Sequence, residues 1–94
     1  MTYETATALP PEEVLRRAKE FFETRVPARS AFVERESARH VALRGQGGEE
    51  VVIAVAAEPG RTAVRGSTML FDQQLGRFFS TLPEPAPAPA GGAA

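Results

Sequence analysis

The sequence predicts an α+β fold in which one antiparallel sheet carries two helices on a single face. Three observations lead to it. Residues 14–26 and 71–82 each hold apolar side chains at helical spacing. Between them stand four short runs of strand character separated by turn residues. A fifth, Thr-rich run precedes the first helix. The order is therefore β-α-β-β-β-β-α. Short turns make the four consecutive strands a meander, and two helices with one apolar stripe each must share one side of the sheet.

Residues 2–8 (TYETATA) suit a first strand. Pro11 fits the first turn of a helix, where its missing N–H costs nothing, and Glu12 and Glu13 suit the positive helix end. Val14, Leu15, Ala18, Phe21, Phe22 and Val26 then form one stripe, which Pro27 stops. On the wet side Glu12–Arg16, Glu13–Arg17 and Lys19–Glu23 sit four apart. Strands follow at residues 31–36 (AFVERE), 39–44 (RHVALR), 49–57 (EEVVIAVAA) and 62–67 (TAVRGS). Gly45-Gln46-Gly47-Gly48 joins the second and third of these, and Glu58-Pro59-Gly60-Arg61 has type II turn chemistry between the third and fourth. Ser67 or Thr68 is placed to cap the second helix, whose stripe is Phe71, Leu75, Phe78, Phe79 and Leu82. Gly76 inside that helix suggests a close approach to the sheet. Pro83 ends it, and residues 83–94 (PEPAPAPAGGAA) read as a disordered Pro/Ala/Gly-rich tail behind a single domain of residues 1–82.

Composition narrows the function classes. A core built from about 82 residues buries only roughly 60–65% of the unfolded surface, leaving little chain for a deep cleft. Eleven basic against twelve acidic residues give a net charge of −1, so no global field attracts nucleic acid or an anionic membrane. Ten of the eleven basic residues are Arg, which reads as coding bias rather than as a site. The absence of cysteine rules out disulfides, thiol chemistry and zinc–thiolate sites. The first residues lack the features of a signal peptide, and no apolar run reaches the ~18 residues of a membrane span. We expect a cytoplasmic location.

In element order, residues 2–82 resemble the TATA-binding-protein half-repeat. They also resemble a miniature helix-grip fold of the START and Bet v 1-like kind, in which a curved antiparallel sheet wraps a C-terminal helix. The resemblance is topological and carries no motif, so it transfers no functional residue. The helix-grip likeness implies a small-molecule ligand held between the sheet and the second helix. For the TATA-binding likeness, a minor-groove binder would need apolar wedges among many basic residues, which an acidic chain does not supply.

Strand parity points to a surface. Val51, Ile53, Val55 and Ala57, with Val41, Leu43 and Val64, form the bulkier set and should meet the helices. The alternate positions then face away: Val52, Ala54 and Ala56 in one strand, Ala63, Arg65 and Ser67 in the next, and His40, Ala42 and Arg44 in a third. For residues 31–36 parity leaves open whether Phe32 or Val33 is buried. The candidate partner or ligand face is thus His40, Ala42, Arg44, Val52, Ala54, Ala56, Ala63 and Arg65: small and apolar at its centre, with a basic border. A solvated sheet face usually carries Thr, Lys and Glu, and a contiguous apolar patch marks a contact surface.

Chemistry is harder to find. His40 is the one histidine and has no evident partner in the sequence. Ser67-Thr68 lacks the GxSxG pattern of a nucleophile elbow. One His and one Asp offer no metal spacing, so no metal or cofactor is expected. The glycine-rich 45–48 segment leads into a strand and not into the helix N-terminus that a phosphate loop requires. Glu34 and Glu36 share a strand face without an opposed carboxylate across a cleft. Residues 71–77 (FDQQLGR) carry a hydrogen-bonding strip, Asp72, Gln73 and Arg77, that reads as helix surface. The sequence thus predicts a non-enzymatic interaction or assembly domain, a homodimer or partner binder through the open sheet face. Its alternative is a small apolar or anionic ligand-binding module.

Overall fold

A computed structural model of the chain describes residues 1–24 and 31–85. The elements follow the expected order: β1 (Thr2–Thr7), α1 (Pro11–Thr24), β2 (Phe32–Glu36), β3 (His40–Arg44), β4 (Glu50–Glu58), β5 (Arg61–Met69) and α2 (Asp72–Ser80). All ladders are antiparallel, and the order across the sheet is β1-β5-β4-β3-β2. The meander is contiguous, and β1 returns to pair with its last strand. The expected end of the first helix at Val26 and Pro27, and the tail beyond residue 85, lie outside the described residues.

Both helices pack on one face. Val14, Leu15, Ala18 and Phe22 of α1 join Leu75 and Phe78 of α2 over Val41, Leu43, Val51, Ile53, Val55 and Val64 of the sheet. Phe71 closes the cluster, with its ring 5.7 Å from that of Phe22, and Phe78 lies 6.0 Å from Phe22. Such offset aromatic contacts add to the burial of large apolar surfaces. At the other end, the Thr62 hydroxyl donates to the Leu9 carbonyl at 2.6 Å. The Thr7 hydroxyl donates to the Pro83 carbonyl at the same distance, so the segments that follow β1 and α2 are both tied to the sheet.

Several local expectations change. Strand β5 runs on to Met69, so Ser67 and Thr68 belong to it and do not cap α2. Thr68 instead donates its hydroxyl to the Glu50 carbonyl and accepts the Phe71 N–H, steering the chain out of the sheet. Leu70 makes that corner with φ at 75°, a left-handed conformation unusual for leucine. On α1 the expected Glu13–Arg17 pair forms, but Arg16 pairs with Glu13 and Glu20 and not with Glu12. Lys19 reaches across to Glu36 of β2 at 2.9 Å, because it sits on the flank facing that strand. Gly60 holds φ at 75°, as the turn chemistry requires.

The close approach of helix and sheet is made by a different glycine. A Cβ on Gly76 would meet nothing within 4 Å, whereas one on Gly66 of β5 would lie 2.8 Å from both Leu75 methyl carbons. Leu75 sits where the strand has no side chain. Ala57, expected in the core, is on the helix side but exposed, since the β3 ladder ends at the His40–Ala54 pair and β4 continues beyond it.

Candidate functional site

The register assigns the side of each strand residue. On the face away from the helices, aligned positions form four rows across the sheet. The first is Met69, Glu50, Arg44 and Phe32. The second is Thr2, Ser67, Val52, Ala42 and Arg35. The third is Glu4, Arg65, Ala54 and His40, and the fourth is Ala6, Ala63 and Ala56. All eight residues singled out from the sequence therefore share one face, and neither described helix covers it.

Their availability differs. Ala56 and Arg65 are exposed, and Val52, Ala54, Ala63, His40 and Arg44 are half-buried. Ala42 is only 1% exposed. Opposite Arg35 and flanked by His40 and Arg44, its methyl is shaded by longer side chains and offers no contact surface. At the other end of the face, Ala54, Ala56 and Ala63 line a depression of about 250 Å³ together with Glu4 and Arg65. Small side chains between longer ones produce it.

The charges are partly spent within the face. Arg44 donates to Glu34 at 2.6 Å and to Glu50 at 3.2 Å. The Arg44 guanidinium holds the Glu34 carboxyl below its ordinary range, and the hydrogen bond to Glu34 raises Arg44 in turn. An arginine between two carboxylates is a poor first partner for an anionic ligand. Arg65, by contrast, makes no ion pair among the described residues, although Glu4 stands opposite it in the ladder. His40 Nδ1 lies 2.6 Å from the Ser37 hydroxyl, whose oxygen also accepts the Arg39 N–H. The Ser37 N–H donates to the His40 carbonyl, so the pair builds the exposed β2–β3 turn. Among the described residues, no group of three His, Asp or Glu side chains gathers as a metal site would require. Neither described helix is long and apolar enough to cross a membrane.

Two large members of the face escape the sequence reading. Met69 is 63% exposed and Phe32 is 51% exposed, at opposite ends of the first row. Continuing the alternation of Ala63, Arg65 and Ser67 by one more step would have found Met69. Phe32 depends on a bulge at Glu34 that shifts the register between Val33 and Arg35. Val33 consequently points to the helices and Phe32 away, while Arg35 returns to the open face opposite Ala42. Leu70 and Met1, both exposed, lie at the same end of the sheet as Met69.

The two edges differ as well. The bulge and the run Glu34-Arg35-Glu36 guard β2 against pairing with another chain. Strand β1 is regular, and its only charged side chain is Glu4. Met1 and Thr68 exchange both backbone hydrogen bonds, which fixes the ladder phase and turns the amides of Thr2, Glu4 and Ala6 outward. No protein-family model, curated protein or solved structure matches this chain.

Proposed function

We propose that the chain is a non-catalytic assembly module whose open sheet face docks a second copy of itself. One observation carries the reading: both described helices lie on one side of a five-stranded sheet, and the other side presents Val52, Ala54, Ala56 and Ala63 at its centre. Side chains this small let a second sheet approach closely, and their apolar surface gains by leaving water. Both signs of charge border the centre, so the surface can complement itself.

The other reading, a module for a small apolar or anionic ligand, draws on the depression beside Arg65. It has less support. Arg44 is engaged by two carboxylates, and Leu75, Phe71 and Phe78 fill the helix side where a helix-grip ligand would lie.

Light scattering after size exclusion, on the full chain over a hundredfold range of concentration, tests the proposal. A dimer that Ala54→Arg splits while circular dichroism stays unchanged supports it. A monomer at every concentration refutes it. A dimer indifferent to Ala54→Arg but lost in Glu4→Pro would move the interface to the β1 edge. Proline there removes an outward amide without touching the ladder to β5.

A further inference from the structure

The four rows also say how two copies would meet. Resting on the reading of the open face as a self-association surface, we propose that the copies pack with strands reversed. In this arrangement Met69 of one enters the alanine-lined depression of the other.

Two simple two-fold arrangements can lay this face on itself. An axis along the strands keeps each row on its own row and sets the central strand β4 on β4. Glu50 of the first row then opposes Glu50 of the second copy, two carboxylates face to face at the interface, which is costly. An axis across the strands keeps each strand over its own counterpart but reverses its direction. The first row then meets the fourth, and the second meets the third.

That second arrangement matches shape and charge. On β5, Met69 falls over Ala63, the floor of the depression of about 250 Å³ that Ala54 and Ala56 also line. Methionine is flexible and fits irregular hollows well. Nearer the axis, Val52 meets Ala54, two of the smaller apolar groups of the face. Arg65, which has no ion pair among the described residues, faces Ser67, and Glu4 faces Thr2, so both charges meet hydroxyls and no like charges oppose. In this overlap β4 and β5 pair along all four rows and β1 and β3 along two, a footprint of roughly 400 Å² at about 4.8 Å between strands and 6.8 Å between rows. A standard interface buries about 800 Å² per partner, so this contact belongs with weak, concentration-dependent dimers, which the hundredfold concentration range reads directly.

The chain has no cysteine, so single cysteines report proximity cleanly. Met69→Cys and Ala63→Cys chains are prepared, mixed, equilibrated and treated with a short bis-maleimide. The mixture should cross-link strongly and each variant alone only weakly, because like positions then lie about 20 Å apart along the sheet. Ala63→Phe, which fills the depression, and Met69→Ala, which removes the knob, should each raise the dimer dissociation constant about tenfold or more. Self-cross-linking of Met69→Cys as strong as that of the mixture overturns the reversed arrangement. So does a dimer split by Ala54→Arg but indifferent to Ala63→Phe and Met69→Ala, which leaves the face as the interface. A chain that is monomeric throughout overturns both proposals at once.

Discussion

Replacing Gly66 and Gly76 by alanine, one at a time, should move stability in opposite directions. At Gly66 the new Cβ would stand 2.8 Å from both methyl carbons of Leu75, so this fully buried side chain must shift within the packed core to admit it. Overpacking of this kind costs about 1–3 kcal/mol. Removing glycine's freedom in the unfolded chain returns roughly 0.5–1 kcal/mol. The net loss is then about 0–2.5 kcal/mol, or a fall in Tm of up to roughly 10–20 °C, since 1 kcal/mol shifts a domain of this size by about 4–8 °C. At Gly76 nothing lies within reach of a Cβ, so alanine should gain close to its helix-propensity advantage of about 0.8–1 kcal/mol. Urea unfolding followed by circular dichroism reads both, at one protein concentration because self-association would otherwise contribute. In a Leu75→Ala background the Gly66→Ala penalty should vanish, which a double-mutant cycle detects. A Gly66→Ala variant that gains stability, or a Gly76→Ala variant that loses it, would refute the assignment of helix–sheet contact to Gly66.

Other expectations follow from single features. Phe22 is fully buried among Phe21, Phe71 and Phe78, so Phe22→Ala should cost about 3–5 kcal/mol and leave the chain largely unfolded in urea titration. Leu70 occupies left-handed backbone and is 68% exposed. Left-handed strain of about 1–2 kcal/mol, less glycine's entropic cost of roughly 0.5–1 kcal/mol, predicts that Leu70→Gly stabilises by about 0–1.5 kcal/mol. A lowered urea midpoint would contradict that. Hydrogen bonds from Arg16 and Arg17 lower the Glu13 carboxyl from 4.5 to about 2. A depressed carboxyl stabilises fully above its unfolded value and loses that contribution as pH falls through about 2, so the window is pH 4.5 to 2. Carbon-detected NMR of the Glu13 side chain should show the low midpoint, and a midpoint near 4.5 would break the pairing.

The candidate face was legible as far as strand parity could be read. Val51, Ile53, Val55, Val41, Leu43 and Val64 alternate with smaller or charged neighbours, and the register honours that alternation in β3, β4 and β5. Parity failed where a strand is irregular or ends differently than its composition suggests. The bulge at Glu34 reverses the facing of β2 partway, and nothing in AFVERE announces it. Strand β5 gains two residues because Thr68 and Met69 pair with Val51 and Glu50, a contact seventeen or more residues away. Exposure failed too: Ala42 has the right facing, yet its neighbours shade it.

Hydrophobic period, prolines and turn residues are local quantities. By themselves they determined the α+β class, the order of seven elements and the side on which most core residues lie. What crosses the chain was decided only by tertiary structure. The return of β1 to β5, the seat of Leu75 on Gly66, the capture of Lys19 by Glu36 and of Arg44 by Glu34 and Glu50 all join distant positions. Close packing and charge pairing depend on which side chains arrive at the same place, and a one-dimensional pattern holds the spacing of residues along one element but not the distance between two.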